Sequence, residues 1–328
     1  MNGIPIVDIG AFENGNKKTR RAIAAEIARA VEGIGFLTVT GHGVPVPVIE
    51  NMKGGAWEFF GLPVATKKRC LDQSMSLNRG YTPFASEHNG SSGGVKAPAD
   101  LREGFIFGPF DRPDDPYHNG PEAAFAYQAN IWPDSVPGIE GIFKAYFRAV
   151  EQLNTRLLKV FAHALNLQNE FFLDKFDRHA SAVRLLHYPS QGSDPTDGQL
   201  RCGAHTDFGS HTILLADDSP GGLQVQTREG VWLDVLPPAG SFVVNIGDLM
   251  MVWTNDRWRS NLHRVINPPA KLRGRAARLS IAFFVHPNRD ATIECIPTCL
   301  VDGEEIRHVP VLAGDHRQKQ VTKVTAGL

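Results

Sequence analysis

Ala182-Val-Arg-Leu-Leu-His-Tyr188 opens a succession of short apolar or alternating runs that decides the fold class of this chain. Further runs follow at 200–205, 211–215, 222–226, 231–235, 241–246, 261–266 and 276–285, separated by turn clusters such as Pro237-Pro-Ala-Gly240. β-Branched and aromatic residues at alternating positions fit a pleated surface, and Gly and Pro supply the reversals between them. Many short strands at this spacing form a sandwich or a barrel-like double sheet, of which the jelly roll is one solution.

Upstream of these runs the apolar period lengthens. Phe143, Tyr146, Phe147, Val150, Leu153 and Leu157 recur at three- and four-residue steps, which predicts a long scaffold helix over 137–166 packed on a sheet. Residues 17–31 and 45–60 also read as helices, and 4–9 and 35–40 as strands. Residues 74–98 are rich in Ser, Gly, Asn and Pro and read as a long loop, a type that often carries function. The chain is therefore expected to be α+β, a helical N-terminal half wrapped around an all-β core. It has no internal repeat and no linker that would separate independent domains.

Bulk properties narrow the function classes. The 42% hydrophobic and 21% charged residues are ordinary for a globular chain, and a formal net charge of −1 offers no basic excess for nucleic acid. Cys70, Cys202, Cys295 and Cys299 form no Cys-x-x-Cys pair and no disulfide framework, and Cys202 reads as a small buried thiol. No stretch approaches the roughly 18 uninterrupted apolar residues of a membrane span, and the first residues lack a cationic-then-apolar leader. The expectation is a cytoplasmic protein with no nucleic-acid or membrane partner, a monomer or weak homo-oligomer.

Chemistry concentrates in His205-Thr-Asp207 and the distant His263. Two positions apart on an extended strand, His205 and Asp207 would face the same way, and His263 from another strand would complete a three-ligand face. Two imidazoles and one carboxylate with open positions suit non-haem Fe(II). Zinc is the physical competitor, although the helical His-Glu-x-x-His signature of zinc hydrolases is absent. Arg278 and Ser280 are also two apart, and a guanidinium beside a hydroxyl makes a charge-assisted receptor for a carboxylate. A salt bridge to an acid of the sheet would explain Arg278 equally well.

Context raises the specificity of these residues. His187-Tyr-Pro189, Ala204-His-Thr-Asp207, Gly221-Gly-Leu-Gln-Val225, Val243-Val-Asn-Ile-Gly-Asp248, Ser260-Asn-Leu-His-Arg-Val265 and Arg278-Leu-Ser280 occur in the order seen in one family. In that order they resemble the Fe(II)- and 2-oxoglutarate-dependent oxygenases related to isopenicillin N synthase. The N-terminal segments Gly41-His-Gly-Val44, Phe59-Phe-Gly-Leu-Pro63 and Arg79-Gly-Tyr81 agree. The resemblance covers about nine tenths of the chain. It implies a double-stranded β-helix (jelly-roll, cupin-like) core at 180–290, flanked by an N-terminal region at 1–120 and by scaffold helices, all within one oxygenase domain.

Residue by residue, it implies Fe(II) on His205, Asp207 and His263. It also implies that Arg278 and Ser280, with the Tyr188 hydroxyl, hold the distal carboxylate of the co-substrate 2-oxoglutarate. Dioxygen is the oxidant and ascorbate a reductant. The implied reaction hydroxylates, desaturates or cyclises a small organic molecule while releasing succinate and CO2. Plant members usually carry Asn-Tyr-Tyr-Pro where Leu186-His-Tyr-Pro189 stands, so an Asn contact to the 2-oxo acid is missing here.

Arg184, four residues before Tyr188 and so on its strand face, is expected to line the pocket and pair either with an anionic substrate group or with an acid at the strand edge. His187, Phe105 and Phe107 are further candidates for the pocket wall, packing being an equal explanation for the two phenylalanines. Three other features read as structural: Gly41-His-Gly43 as a turn, His211 as a strand-facing or ligand-supporting histidine, and Gly247-Asp248 as a turn whose carboxylate caps the next segment. Rival functions are an oxidase of the same fold that uses no 2-oxoglutarate, a non-catalytic binding protein, and a zinc hydrolase.

Overall fold

A computed structural model describes residues 3–72, 78–90, 97–217, 219, 222–301 and 303–325. Its strands in chain order are β1 (Ile6–Asp8), β2 (Phe36–Thr40), β3 (Gly80–Thr82), β4 (Glu103–Phe107), β5 (Ala182–Tyr188) and β6 (Cys202–His205). They continue with β7 (His211–Ala216), β8 (Leu223–Gln226), β9 (Trp232–Asp234), β10 (Phe242–Ile246), β11 (His263–Val265) and β12 (Arg278–Val285). A major sheet runs in the order β1-β2-β10-β7-β12-β5-β4-β3, and a minor sheet runs β6-β11-β8-β9. This is the jelly-roll double sheet, carried in an α+β chain.

Alternation along each strand gives the major sheet two different faces. Val183, Leu185, Ile213, Leu215, Val244, Ile281 and Phe283 point to the outer face, where they form one core with the helices. Those helices are Lys17–Gly33, Val46–Phe60 and Ile139–Ala164, the last buried along Phe143, Phe147, Val150, Leu153 and Leu157. The stripe spacing that predicts the scaffold helix therefore also names its buried face. Leu186, Leu214, Val243 and Ala282 point the other way and meet Leu223, Val225 and Val265 of the minor sheet in a second, smaller core. The space left between the two sheets is a cavity that these inner faces enclose.

The expected strands fall where the runs placed them, with ends shifted by one or two residues. The expected loop at 74–98 lies partly outside the described residues, and within the rest Gly80–Thr82 is a strand paired with β4. A C-terminal helix, Ala313–Thr325, and a two-stranded pairing of Thr292–Ile293 with Val311–Leu312 were not expected. No helix among the described residues is long and apolar enough to cross a membrane.

Candidate metal centre and active-site cavity

β6 and β11 pair antiparallel with His205 directly opposite His263, so a ladder register brings two histidines 58 positions apart into contact. Their ring centroids lie 4.3 Å apart. Asp207 sits two residues past the end of β6, off the ladder, and other contacts must hold it. Its backbone carbonyl accepts from the Asp248 N–H at 2.8 Å, and the Gly247 N–H donates to the Ser210 carbonyl at 2.8 Å. A Cβ at Gly247 would lie 2.4 Å from the Gly209 carbonyl oxygen, so only glycine permits this approach. The Asp248 carboxylate accepts from the Ser260 hydroxyl at 2.6 Å instead of capping its own helix, which corrects one expectation.

Each of the three side chains has its other polar atom occupied. His205 Nδ1 faces the Gly203 carbonyl at 2.8 Å and His263 Nδ1 faces the Asn261 carbonyl at 3.1 Å. Those contacts place the proton on Nδ1 and leave the Nε2 lone pairs, 3.9 and 3.8 Å from Asp207 Oδ1, converging on one point. Asp207 Oδ2 accepts from Thr212 Oγ1 at 2.6 Å and Asn245 Nδ2 at 2.7 Å, which leaves Oδ1 to face the imidazoles. All three candidate ligand atoms lie within 4.8 Å of one another.

Electrostatics agree with a cation site. Burial, reinforced by His205, pushes the His263 imidazole down to about 4, so at neutral pH it is an uncharged donor. Burial alone would raise the Asp207 carboxyl, but His263, His205 and the bonds from Thr212 and Asn245 hold it below its ordinary range. Two imidazoles and one carboxylate, with no thiolate, form a donor set that fits Fe(II). Cys202 stays a buried thiol 3.8 Å from His205 Nδ1, its proton held by burial.

The same three residues open on a cavity of about 190 Å³ between the sheets. At one end Arg278 and Ser280 project from β12 opposite Tyr188 and Leu186 of β5. Arg278 donates to the Ser280 hydroxyl and its guanidinium lies 5.2 Å from the Tyr188 ring centroid. It is 1% exposed, its Nε has no hydrogen-bond partner, and no carboxylate of the described residues forms an ion pair with it. The salt bridge that would have made Arg278 purely structural is therefore missing among them. A buried guanidinium in this state calls for an anion from outside the chain. The distal carboxylate of a dicarboxylic 2-oxo acid fits, with the neighbouring Ser280 hydroxyl in reach.

Of the four wall candidates, the structure keeps one. Arg184 lines the cavity, but its guanidinium donates to Glu87, which also lies 3.2 Å from Arg102. The acid-pairing alternative for Arg184 is the one realised. His187, Phe105 and Phe107 lie on the outer face, away from the cavity. His187 Nδ1 faces Glu103 Oε1 at 2.7 Å and its ring stacks on Phe60 with centroids 5.0 Å apart. Phe105 and Phe107 pack against Phe59 and Phe143 in the helix-covered core. Strand parity is the reason: Ile106, paired with Arg184, is the β4 residue that faces the cavity.

The other structural readings hold. His42 Nε2 faces the Gly240 carbonyl at 2.7 Å, a turn contact. His211 is buried against Phe161 and belongs to no ligand cluster among the described residues. Arg102 and Glu87 also line the cavity, from segments that the sequence offers as pocket elements, 102–107 and 74–98. Asp100 beside Arg102 and, from the C-terminal helix, Arg317 have no such signal in the sequence.

Comparison with known proteins agrees with this geometry. The family model of the 2OG-Fe(II) oxygenase superfamily matches residues 179–287, and that of the non-haem dioxygenase N-terminal region (in morphine synthesis) matches residues 4–135. The 2-oxoglutarate-Fe(II) type oxidoreductase hxnY of Emericella nidulans is 34% identical over 95% of this chain and 87% of its own length. The proline hydroxylase buaE of Petromyces alliaceus is 32% identical over 92% of this chain and 93% of its own. Among solved structures, a full-length Neurospora crassa protein in complex with alpha-KG superposes with a TM-score of 0.85 at 27% identity, covering 98% of this chain and 96% of that one.

Proposed function

Because the chain belongs to the 2-oxoglutarate–Fe(II) oxygenase superfamily and is an iron- and 2-oxoglutarate-dependent dioxygenase, we propose that His205, Asp207 and His263 hold its Fe(II) and that Arg278, Ser280 and Tyr188 receive its 2-oxoglutarate. One observation carries the assignment: three converging, otherwise satisfied ligands share a cavity with a buried arginine that has no acid partner among the described residues. The relatives support the main reading over a 2-oxoglutarate-independent oxidase.

Bound Fe(II) and 2-oxoglutarate supply the oxidising chemistry, in which dioxygen oxidises the substrate while the co-substrate becomes succinate and CO2. The protein's own residues position the reactants and exclude water. Thr212 and Asn245 orient the Asp207 carboxylate, and the Gly203 and Asn261 carbonyls fix both imidazole tautomers. Arg278 sets the direction of the dicarboxylate along the cavity, as a charge that cannot be relieved by solvent. Leu186, Leu214, Leu223 and Val265 make the intervening wall apolar.

The substrate is a small organic molecule, and hydroxylation is the reaction this site serves, desaturation and ring closure being variants of the same oxidation. The core that joins Val7 and Ile27 to Phe283 and Ala313 supports treating the chain as one oxygenase domain. We place it in the cytoplasm as a monomer or weak homo-oligomer. The test is oxygen uptake and succinate release with Fe(II), ascorbate and 2-oxoglutarate. His205→Ala and Asp207→Ala are expected to abolish both, and Arg278→Ala to raise the 2-oxoglutarate KM about 30-fold or more, the loss of roughly 2 kcal/mol or more. Oxygen uptake that survives in the His205, Asp207 double variant overturns the metal assignment.

A further inference from the structure

The cavity is lined by four arginines, three buried and Arg184 partly so, whose charges are balanced in different ways. Arg184 is paired with Glu87, and Arg102 lies 3.2 Å from Glu87 and 3.5 Å from Asp100. Arg278, at the co-substrate end, has no acid among the described residues. Arg317, from the C-terminal helix, is 6% exposed and is likewise in no ion pair among the described residues. Its hydrogen bonds are long ones to neutral oxygens, the Ala180 carbonyl at 3.3 Å and Asn78 Oδ1 at 3.3 Å.

The two uncompensated guanidiniums lie at opposite ends of one axis. Arg278 pairs in register with Tyr188, the last residue of β5, whereas Arg317 is tied to Ala180, just before its first. Eight chain positions separate those anchors, the last seven of them on β5, about 26 Å at roughly 3.3 Å per residue. Between them Ala282 and Phe284 line the cavity, and Thr212, opposite Phe284 on β7, orients Asp207. The metal site therefore stands between the two arginines, with 2-oxoglutarate on the Arg278 side.

The Arg317 end is built for negative charge. Burial pulls the Arg317 guanidinium down to about 10, so it stays charged at neutral pH. Arg79, held by the carbonyls of Asn78, Ala126 and Gln128, adds a second cation beside it, with Asp72 favouring the charge of Arg79. His286 lines the same end with its buried Nδ1 unpartnered, and burial holds it neutral, so it can take part in a hydrogen bond without adding charge. A buried cation without a counter-ion costs several kcal/mol, a cost a ligand anion offsets.

Resting on the functional reading of the metal site, we infer that the primary substrate is a carboxylate, its anionic group seated on Arg317 with Asn78 and His286 alongside, and its oxidisable carbon directed toward the metal face. The remote charge pair holds the substrate end-on, opposed to 2-oxoglutarate. Binding energy realised away from the reacting carbon then orients that carbon.

The test uses the full chain loaded with Co(II) and saturated with 2-oxoglutarate, probed by isothermal titration. Probes are benzoate, phenylacetate and hexanoate, their amides, and the amines benzylamine and hexylamine. Carboxylates are expected to bind at least tenfold more tightly than the matching amides, and amines not at all. Arg317→Gln should erase that preference, and Arg317→Lys should restore most of it, while 2-oxoglutarate affinity stays within twofold in both. A purely structural Arg317 would lower stability without tracking charge in this way. Amides or amines binding as well as carboxylates, no carboxylate binding, or an unaltered preference in Arg317→Gln overturns the inference. Failure of the wild-type protein to bind 2-oxoglutarate would instead overturn the reading on which it rests.

Discussion

Thr212 Oγ1 donates to Asp207 Oδ2 at 2.6 Å, and with Asn245 it occupies one carboxylate oxygen so that the other faces the two imidazoles. Thr212 touches no candidate ligand atom directly; its influence passes through the carboxylate's orientation. Thr212→Val removes the donor and keeps the shape. Metal affinity, read by Co(II) titration, is expected to fall about 10- to 100-fold, the usual cost of losing such a partner. At saturating Fe(II) the 2-oxoglutarate KM should stay unchanged, and an unaltered Co(II) affinity would refute the role.

Glu87 is the shared counter-ion of Arg184 and Arg102 inside the cavity. Glu87→Gln takes the acid from Arg184 and leaves Arg102 with Asp100 alone, and should cost about 3 kcal/mol in urea unfolding. Arg184→Ala leaves Glu87 still compensated by Arg102 and should cost clearly less. Equal losses for the two variants would show that Arg102 does not share the acid.

His187 belongs to a buried polar cluster behind the sheet, where Glu103 also accepts from Lys67 at 2.8 Å and Tyr81 at 2.6 Å. His187→Leu is expected to lower stability by about 1–3 kcal/mol, as expected when buried polar partners are left incomplete. KM values for substrate and 2-oxoglutarate should be unaffected. A changed KM at unchanged stability would return His187 to the pocket wall.

His211 carries a pH signature. Burial pushes its imidazole down to about 3 from the usual 6.5, so between those values the unfolded chain binds a proton that the folded chain does not. Stability from this group is complete above about pH 6.5 and falls as pH drops, by at most about 1.4 kcal/mol per unit. Between pH 7 and pH 5 the His211→Phe variant should therefore lose about 2 kcal/mol less than the parent. Parallel losses, measured by urea midpoints at the two pH values, would contradict it.

Much of this molecule was legible before its structure. The strand runs and the 139–164 stripe announce a helix-backed double sheet because each element's buried face repeats at its own period. His205, Asp207, His263, Arg278 and Ser280 were legible because their chemistry is expensive to bury without a use. His187 is turned from the cavity by parity alone: one position from Tyr188 and three from Arg184, it cannot share their face. Phe105 and Phe107 needed the register of β4 on β5, which periodicity does not encode.

The sequence by itself thus determined the candidate ligand types, the alternation that sorts residues into two faces, and the placing of Arg278 and Ser280 on one face of β12. Tertiary structure alone decided which charges are balanced. Glu87 reaches Arg184 and Arg102 across residues of loop and strand, while Arg317 arrives from a helix 39 positions beyond Arg278 with no acid beside it among the described residues. The reason is physical: local periodicity fixes the face on which a side chain is presented, whereas charge compensation depends on chain-distant groups meeting in a low-dielectric space.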